Sequence, residues 1–318
     1  MKTRLSLILL FLWSIATIVH SQSNFNNTKF DGYKGIWFEL NQKYEDGDKY
    51  SGALSTYTAK HMPLAVYSAE ADKTFFVYGG TTHEAERSLL CMIGYFDHET
   101  GMVPRPTVVY DKKGVNDPHD NPSLMIDDEG YIWVFVSGRG QKRPGFKYRS
   151  RLPFNIDRFD EISSEEMTYP QPWNTDRGYF HFFTKYQGYR LLYFETSDDG
   201  IHWSEDQLLA AMPQRDGEQA GHYQVSGLYD NRITTTIWAS TDKGTCWKKR
   251  RTVTSNGRFN HAYVRCPLHF KAPFCFFWSD GDAHRFSKSQ LYFGDFKGNV
   301  WQLPYEMKND FEKPKQIN

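Results

Sequence analysis

Hydrophobic residues in this chain gather in short aromatic and β-branched runs that end in small or polar residues. No stretch keeps apolar positions at helical spacing for the length of a stable helix. The runs are Thr74–Gly79 (TFFVYG), Tyr131–Gly138 (YIWVFVSG), Tyr179–Tyr186 (YFHFFTKY), Arg232–Ser240 (RITTTIWAS) and Phe274–Gly281 (FCFFWSDG). Their starts lie 57, 48, 53 and 42 residues apart, the period of a four-stranded propeller blade with insertions. Hairpin turns fall at Asp127–Gly130 (DDEG), Tyr229–Asn231 (YDN) and Asp295–Asn299 (DFKGN), where Asp, Asn and Gly supply the conformations a tight turn needs. The pattern predicts an all-β fold, a β-propeller of five to seven four-stranded blades. Residues 24–73 are expected to add strands or, with Leu291–Leu303, to close the ring.

A second repeat supports the same architecture. Thr196–Trp203 (TSDDGIHW) and Ser240–Trp247 (STDKGTCW) both fit Ser/Thr-x-Asp-x-Gly-x-x-Trp, 44 residues apart. This resembles the Asp-box of the bacterial neuraminidase repeat. Its Asp is expected to cap a hairpin through backbone N–H groups, its Gly to supply a positive φ, and its Trp to pack between blades. Asp-boxes lie on outer hairpins, so these residues are expected to be structural.

The N-terminus places Lys2 and Arg4 before an apolar run from Leu5 to Val19, followed by small or polar residues. This reads as a signal peptide over residues 1–21, cleaved after Ser21, since the apolar run is short for a bilayer span. Residues 22–318 are then a single propeller domain, secreted or periplasmic, not inserted in the membrane, and monomeric. Lys plus Arg and Asp plus Glu number 38 each, so the field of the whole molecule does not attract nucleic acid or an anionic membrane. Aromatic residues make up 17% of the chain, which argues against disorder. The four cysteines, Cys91, Cys246, Cys266 and Cys275, have no metal-ligand spacing. No cofactor and no metal are expected.

In a propeller the ligand sits where the inner strands converge, so polar residues at the ends of the aromatic runs are the candidates. Asn116–Ser123 (NDPHDNPS) puts His119 among carboxylates and prolines in a rigid loop leading into a strand. Such a histidine keeps a defined tautomer and exchanges protons near neutral pH, or merely braces the loop. Arg139 lies at the other end of the same hairpin. Tyr169 opens the next unit in Tyr169–Trp173 (YPQPW), and its following strands carry Tyr186 and Arg190. His222 and Tyr223 enter another strand in Gly221–Ser226 (GHYQVS), and His261 and Arg265 do so in Asn260–Arg265 (NHAYVR). From Arg139 to Arg151, Arg143 included, six cations and no acid form a stretch suited to sulfate or carboxylate, or a solvated loop. The chain has no GxSxG, Gly-rich phosphate loop or HExxH, and no carboxylate pattern that marks a glycosidase pair.

The two Asp-box-like segments, Asp117–Gly138, Tyr169–Trp173 and Asn260–Arg265 together resemble the neuraminidase-repeat propellers of polysaccharide-degrading bacteria. That group includes propeller ulvan lyases, related rhamnose–glucuronate lyases and hydrolases, and ulvan oligosaccharide dehydratases. The resemblance covers about Gly32 to Met307 and is most specific over residues 117–203. It implies His119 in proton transfer, Arg190 on a uronate carboxylate and a nearby tyrosine as acid or base. Tyr186, His222 and Tyr223 complete the expected catalytic set, with Arg139, Arg143, Tyr169, His261 and Arg265 binding substrate. Where several lyases carry a second histidine, this chain has Arg139, and the stretch between Trp238 and Phe259 is short for a full blade. The implied activity is β-elimination on an ulvan-like, sulfated glucuronate and rhamnose glycan, as lyase or dehydratase. A sialidase- or rhamnosidase-like hydrolase and a non-catalytic glycan-binding propeller remain as alternatives.

Overall fold

A computed structural model of the chain describes residues 24–44, 47–54, 61–187, 189–211, 236–254, 259–282 and 285–318. Among them there is no α-helix, and none long and apolar enough to cross a membrane; one three-residue 3-10 turn, Pro118–Asp120, interrupts the strands. The signal-peptide segment and the turn at 229–231 lie outside the described residues.

Strands β1 (Trp37–Tyr44) and β2 (Gly47–Gly52) form a hairpin. The first four-stranded sheet contains β3 (Ala65–Ser68), β4 (Lys73–Gly80), β5 (Leu90–Asp97) and, beyond the short β6 (Val103–Pro104), β7 (Thr107–Asp111). The second is β8 (Pro122–Ile126), β9 (Ile132–Val136), β10 (Gly145–Ser150) and β11 (Phe159–Glu165). The third is β12 (Thr168–Thr175), β13 (Gly178–Gln187), β14 (Tyr189–Ser197) and β15 (Gln207–Ala211). A hairpin of β16 (Thr236–Ala239) and β17 (Lys248–Thr252) follows. The last sheet runs β18 (Asn260–Arg265), β19 (Phe276–Gly281), β20 (Leu291–Gly294) and β21 (Val300–Gln302). Near the C-terminus β22 (Phe311–Glu312) pairs with β6, and β23 (Lys315–Gln316) adds to the edge of β21.

Each four-stranded sheet is an antiparallel meander with its strands in chain order, consistent with a propeller-like arrangement. In these three sheets, and in the last one, which β23 extends to five strands, the aromatic run forms the second strand. Strands β4, β9 and β19 are buried on both faces along nearly their whole length, so their sequences read as continuous apolar runs instead of alternating ones. The core joins the first and last sheets through aromatic contacts. Phe76 stacks on Phe274 at 5.4 Å, and Phe96 meets Phe293 at 5.0 Å. A second cluster, Met125, Trp133, Phe135, Met167 and Phe183, joins the second and third sheets.

The turns are capped locally. Asp127 Oδ1 accepts the N–H groups of Glu129 (3.1 Å) and Tyr131 (2.8 Å), while its Oδ2 accepts Trp133 Nε1–H at 2.8 Å. In the segment TSDDGIHW the motif places Asp198 as the cap, but Asp199 performs that role. Asp199 Oδ1 accepts N–H from Ile201 (2.8 Å) and His202 (2.7 Å), because Ser197, one position later than the motif's Thr196, takes the hydroxyl role toward Gly200 N–H. Trp203 packs between the second and third sheets, against Phe135 and His181 with Lys147 4.1 Å over its ring. Trp247, expected to do the same, is 60% exposed.

The ring of Trp37 is fully buried and lies where a Cβ on Gly281 would come within 2.0 Å of it. Gly281→Ala therefore overpacks the junction of β1 and β19, and is predicted to cost about 1–3 kcal/mol. A melting curve checks this: an unchanged midpoint would mean that the Trp37 ring is not fixed there.

Candidate functional site

The segment NDPHDNPS builds the most densely charged site among the described residues. Pro118 and Pro122 limit the backbone on either side, and Asp117 closes the 3-10 turn by accepting His119 N–H on Oδ1 at 3.0 Å. The same oxygen accepts His119 Nδ1–H. A carboxylate with these donors accepts only, so Nδ1 carries the proton and Nε2 is the nitrogen that can exchange one.

Two arginines reach the other Asp117 oxygen. Arg139 Nη1 donates to Oδ2 at 3.1 Å and Arg143 Nη2 at 2.6 Å. Arg143 Nη2 also donates to Asp120 Oδ1 at 2.8 Å, and the buried Lys112 Nζ pairs with Asp120 Oδ2 at 2.8 Å. Lys112 Nζ further donates to Ser137 O (2.9 Å), and Ser137 Oγ accepts Tyr169 N–H (3.1 Å). That chain of bonds holds Tyr169 in a left-handed conformation with φ 58, which costs a non-glycine residue about 1–3 kcal/mol.

His61 completes the site. It is fully buried, its Nε2 lies 2.9 Å from His119 O, and its ring meets Tyr169 edge-on at 5.2 Å. His119 lies on the same tyrosine at 5.9 Å between centroids. A carbonyl oxygen only accepts, so His61 Nε2 is protonated. Burial pushes its pKa down to about 3, so Nδ1 holds a lone pair, and no hydrogen bond to it is made among the described residues.

The charges do not cancel. Burial raises the Asp117 carboxyl, but the His119 hydrogen bonds and the His119 and Arg139 charges outweigh it and hold the group well below the usual carboxylate range. Burial raises Asp120, against the pull of Lys112 and Arg143. Among the described residues Lys112, Arg139 and Arg143 pair only with Asp117 and Asp120, an excess of one positive charge that favours an anionic ligand. Arg139 is the cation with donors to spare. Its side chain is 43% exposed, and its one hydrogen bond among the described residues uses Nη1.

The structure thus brings together His119, Arg139, Arg143 and Tyr169, with Arg265 beneath them. Arg265 is 7% exposed, donates to Leu54 O at 2.9 Å and places its charge near His61, so it is a buried support and not a rim residue. His261 is a core residue instead of a substrate ligand: its Nδ1 accepts Trp278 Nε1–H at 2.9 Å, its ring packs on Tyr292, and burial lowers its pKa to about 4. Tyr186 is exposed at the end of β13, opposite Arg190, with its N–H on Glu166 Oε1. This hairpin end lies two residues beyond Thr184, which pairs with Thr168 beside Tyr169. The side chain of Arg190, and His222 and Tyr223 entirely, lie outside the described residues.

Half of the cations in the basic stretch are engaged elsewhere. Lys147 is 1% exposed between Glu165 and Glu195, Arg149 lies over the Tyr131 ring, and Arg151 is paired with Asp160. Only Arg139 and Arg143 turn toward His119. Sequence reasoning missed His61 and Lys112 as site residues. Lys112 sits in a DKKG turn that reads as an ordinary hairpin, and His61 belongs to no motif.

No protein-family model matches the sequence, and no curated protein is significantly similar to it. Among solved structures, the chain is similar to an ulvan lyase described as a new family of polysaccharide lyase, with TM-score 0.44 and 13% identity over 86% of this chain and 57% of that one. The same enzyme bound to -[GlcA(1-4)Rha3S]- gives the same values. An α-L-arabinofuranosidase from Lactobacillus brevis has TM-score 0.38 and 11% identity, covering 78% of this chain and 96% of that chain. A β-fructofuranosidase from Schwanniomyces occidentalis has TM-score 0.32 and 10% identity, covering 88% and 51%. The chain spans little more than half the length of the ulvan lyase. At these scores and identities the likenesses assign neither activity nor residues.

Two buried neutral histidines give the protein a signed pH dependence. His61 and His261 gain protons below their ordinary 6.5 when unfolded, but only near 3 and 4 when folded. For these two groups the unfolded state therefore binds more protons between those values, and the stability they contribute falls as pH drops through that window. The buried Asp280 carboxyl, raised to about 6, contributes with the opposite sign. His61→Gln, which keeps an N–H donor but cannot titrate, is therefore predicted to lose less melting temperature between pH 7 and pH 4.5 than the wild type does. An equal or larger loss in His61→Gln would contradict this.

Proposed function

We propose that the protein is an exported carbohydrate-active enzyme, a β-propeller of five to seven blades, that eliminates across C4 and C5 of a uronate residue in a glucuronate- and rhamnose-containing glycan. The observation that carries this reading is His119, oriented by Asp117, beside an Arg139 guanidinium that uses only Nη1 among the described residues. Export rests on the N-terminal pattern, and the propeller on the repeated in-order meanders.

Elimination requires loss of the C5 proton next to a carboxylate, which builds negative charge on that carboxylate as an enolate. Arg139 supplies a forked, permanently charged donor for it. His119 Nε2 takes the C5 proton, and the ionised Asp117 stabilises the imidazolium that forms. The same imidazolium returns a proton to the oxygen leaving C4. If that oxygen is glycosidic the reaction is a lyase step; if it is a free hydroxyl, a dehydration. Arg143 has both carboxylates as partners and acts by fixing Asp117, while His61 and Tyr169 fix the turn that carries His119. A hydrolytic pathway would need a carboxylate pair free to act as acid and base; Asp117 and Asp120 are both committed to cations.

Incubation with ulvan and its oligosaccharides, followed by ultraviolet absorbance of the unsaturated uronate and by mass spectrometry, tests the proposal. The wild type should generate the chromophore, and His119→Ala should lose roughly 100-fold or more in rate with its melting temperature kept. Arg139→Lys, which keeps charge but not the fork, should stay impaired by about tenfold or more. Cleavage with gain of water and no chromophore would replace elimination by hydrolysis, and binding without turnover would leave a glycan-binding protein.

A further inference from the structure

Away from His119, the second and third sheets enclose a different polar cluster. Glu165 on β11, His181 on β13 and Glu195 on β14 each bring one ligand atom within 4.8 Å of the others. Lys147 on β10 lies among them, its Nζ 2.5 Å from Glu165 Oε1 and 2.6 Å from Glu195 Oε1. His181 Nδ1 is 2.7 Å from that same Glu195 oxygen. Lys147, His181 and Glu195 are almost wholly removed from solvent, and His181 Nε2 has no hydrogen-bond partner among the described residues.

The cluster already holds a cation, the lysine ammonium, but is not neutral. Two carboxylates face one ammonium, and the His181 imidazole lies against Glu195 with its Nε2 unpartnered among the described residues. Burial of an unbalanced charge is costly, and a doubly charged ion would balance the two carboxylates. One imidazole nitrogen and two carboxylate oxygens form a donor set that suits Zn²⁺ and its neighbours. Lys147 also has somewhere to go: it lines an open groove of about 590 Å³ whose other walls include Trp203, Glu205 and Asp206. Glu205 would receive the displaced ammonium, since Asp206 is already paired with Lys185.

We propose that Glu165, His181 and Glu195 form a divalent transition-metal site that ties the second sheet to the third, and that Lys147 is the resident cation a metal ion must displace. The site is separate from the His119 cluster, so its failure would leave the proposed activity untouched.

The test is titration of the chelator-treated full-length chain with Zn²⁺, followed by thermal shift and calorimetry, and with Co²⁺, followed by its visible absorption. Wild type should bind one ion, with a visible Co²⁺ band and a raised melting temperature. Lys147→Met, which removes the competitor, should bind about tenfold tighter or more. Should that variant be unstable alone, Zn²⁺ should raise its melting temperature by more than it raises the wild type's. Glu165→Gln, at a partly exposed position, and His181→Asn should lose the band. No Zn²⁺ response in either wild type or Lys147→Met overturns the proposal, and so does a Co²⁺ band that survives both ligand substitutions.

Discussion

Asp120 is the constraint from which the candidate site is built. Its carboxylate has no exposure to solvent, and a charge in that position persists only if cations are brought to it. Lys112 meets one oxygen and Arg143 the other. Arg143, fixed in this way, spans to Asp117, and Asp117 in turn fixes the imidazole of His119 and one end of Arg139. The ladder converts one buried charge into the orientation of a half-exposed arginine and a single histidine tautomer. Removing Asp120 would leave two cations crowded without their anion, while adding one more carboxylate would cancel the positive excess on which anion binding depends.

The sheets meet this ladder from below. Strand β8, which leaves the 3-10 turn, packs beside β3 and β12, and the turn itself lies against β12. Ser123 Oγ on β8 donates to Pro170 O on β12 at 2.8 Å, so Tyr169 is tied to the second sheet from two sides. The polar contacts between the second and third sheets follow the same rule at Lys147, where a buried ammonium is met by two carboxylates and a tryptophan face. In both places a charged side chain, and not only apolar packing, fixes how neighbouring sheets sit.

The strand pattern was legible because strands buried on both faces read as continuous apolar runs, as β4, β9 and β19 do. The first strands β8 (PSLMI) and β12 (TYPQPWNT) mix prolines and polar residues with apolar ones, and no periodicity marks them. At the site, Asp117, His119 and Asp120 were legible because prolines, carboxylates and a histidine crowd one loop. His61 was not, since its role comes from a contact with His119 across 58 residues of chain. His261 misled for the opposite reason: NHAYVR looks like a site motif, yet Trp278 already uses its lone pair. The basic stretch misled because Lys147 and Arg149, two apart on β10, share the face that packs on Phe135 and Trp133, where Lys147 enters a buried ion pair and Arg149 lies over Tyr131.

The central claim is that the charge ladder fixes His119 with its proton on Nδ1, which makes Nε2 the nitrogen that accepts a proton. Long-range proton–nitrogen correlation spectra of the imidazole rings, with His119 assigned through His119→Gln, measure this directly. The account predicts a neutral His119 protonated on Nδ1 in the wild type, and loss of that tautomer in Asp117→Leu. A neutral His119 protonated on Nε2, or a pattern unchanged by the loss of the Asp117 carboxylate, would contradict it.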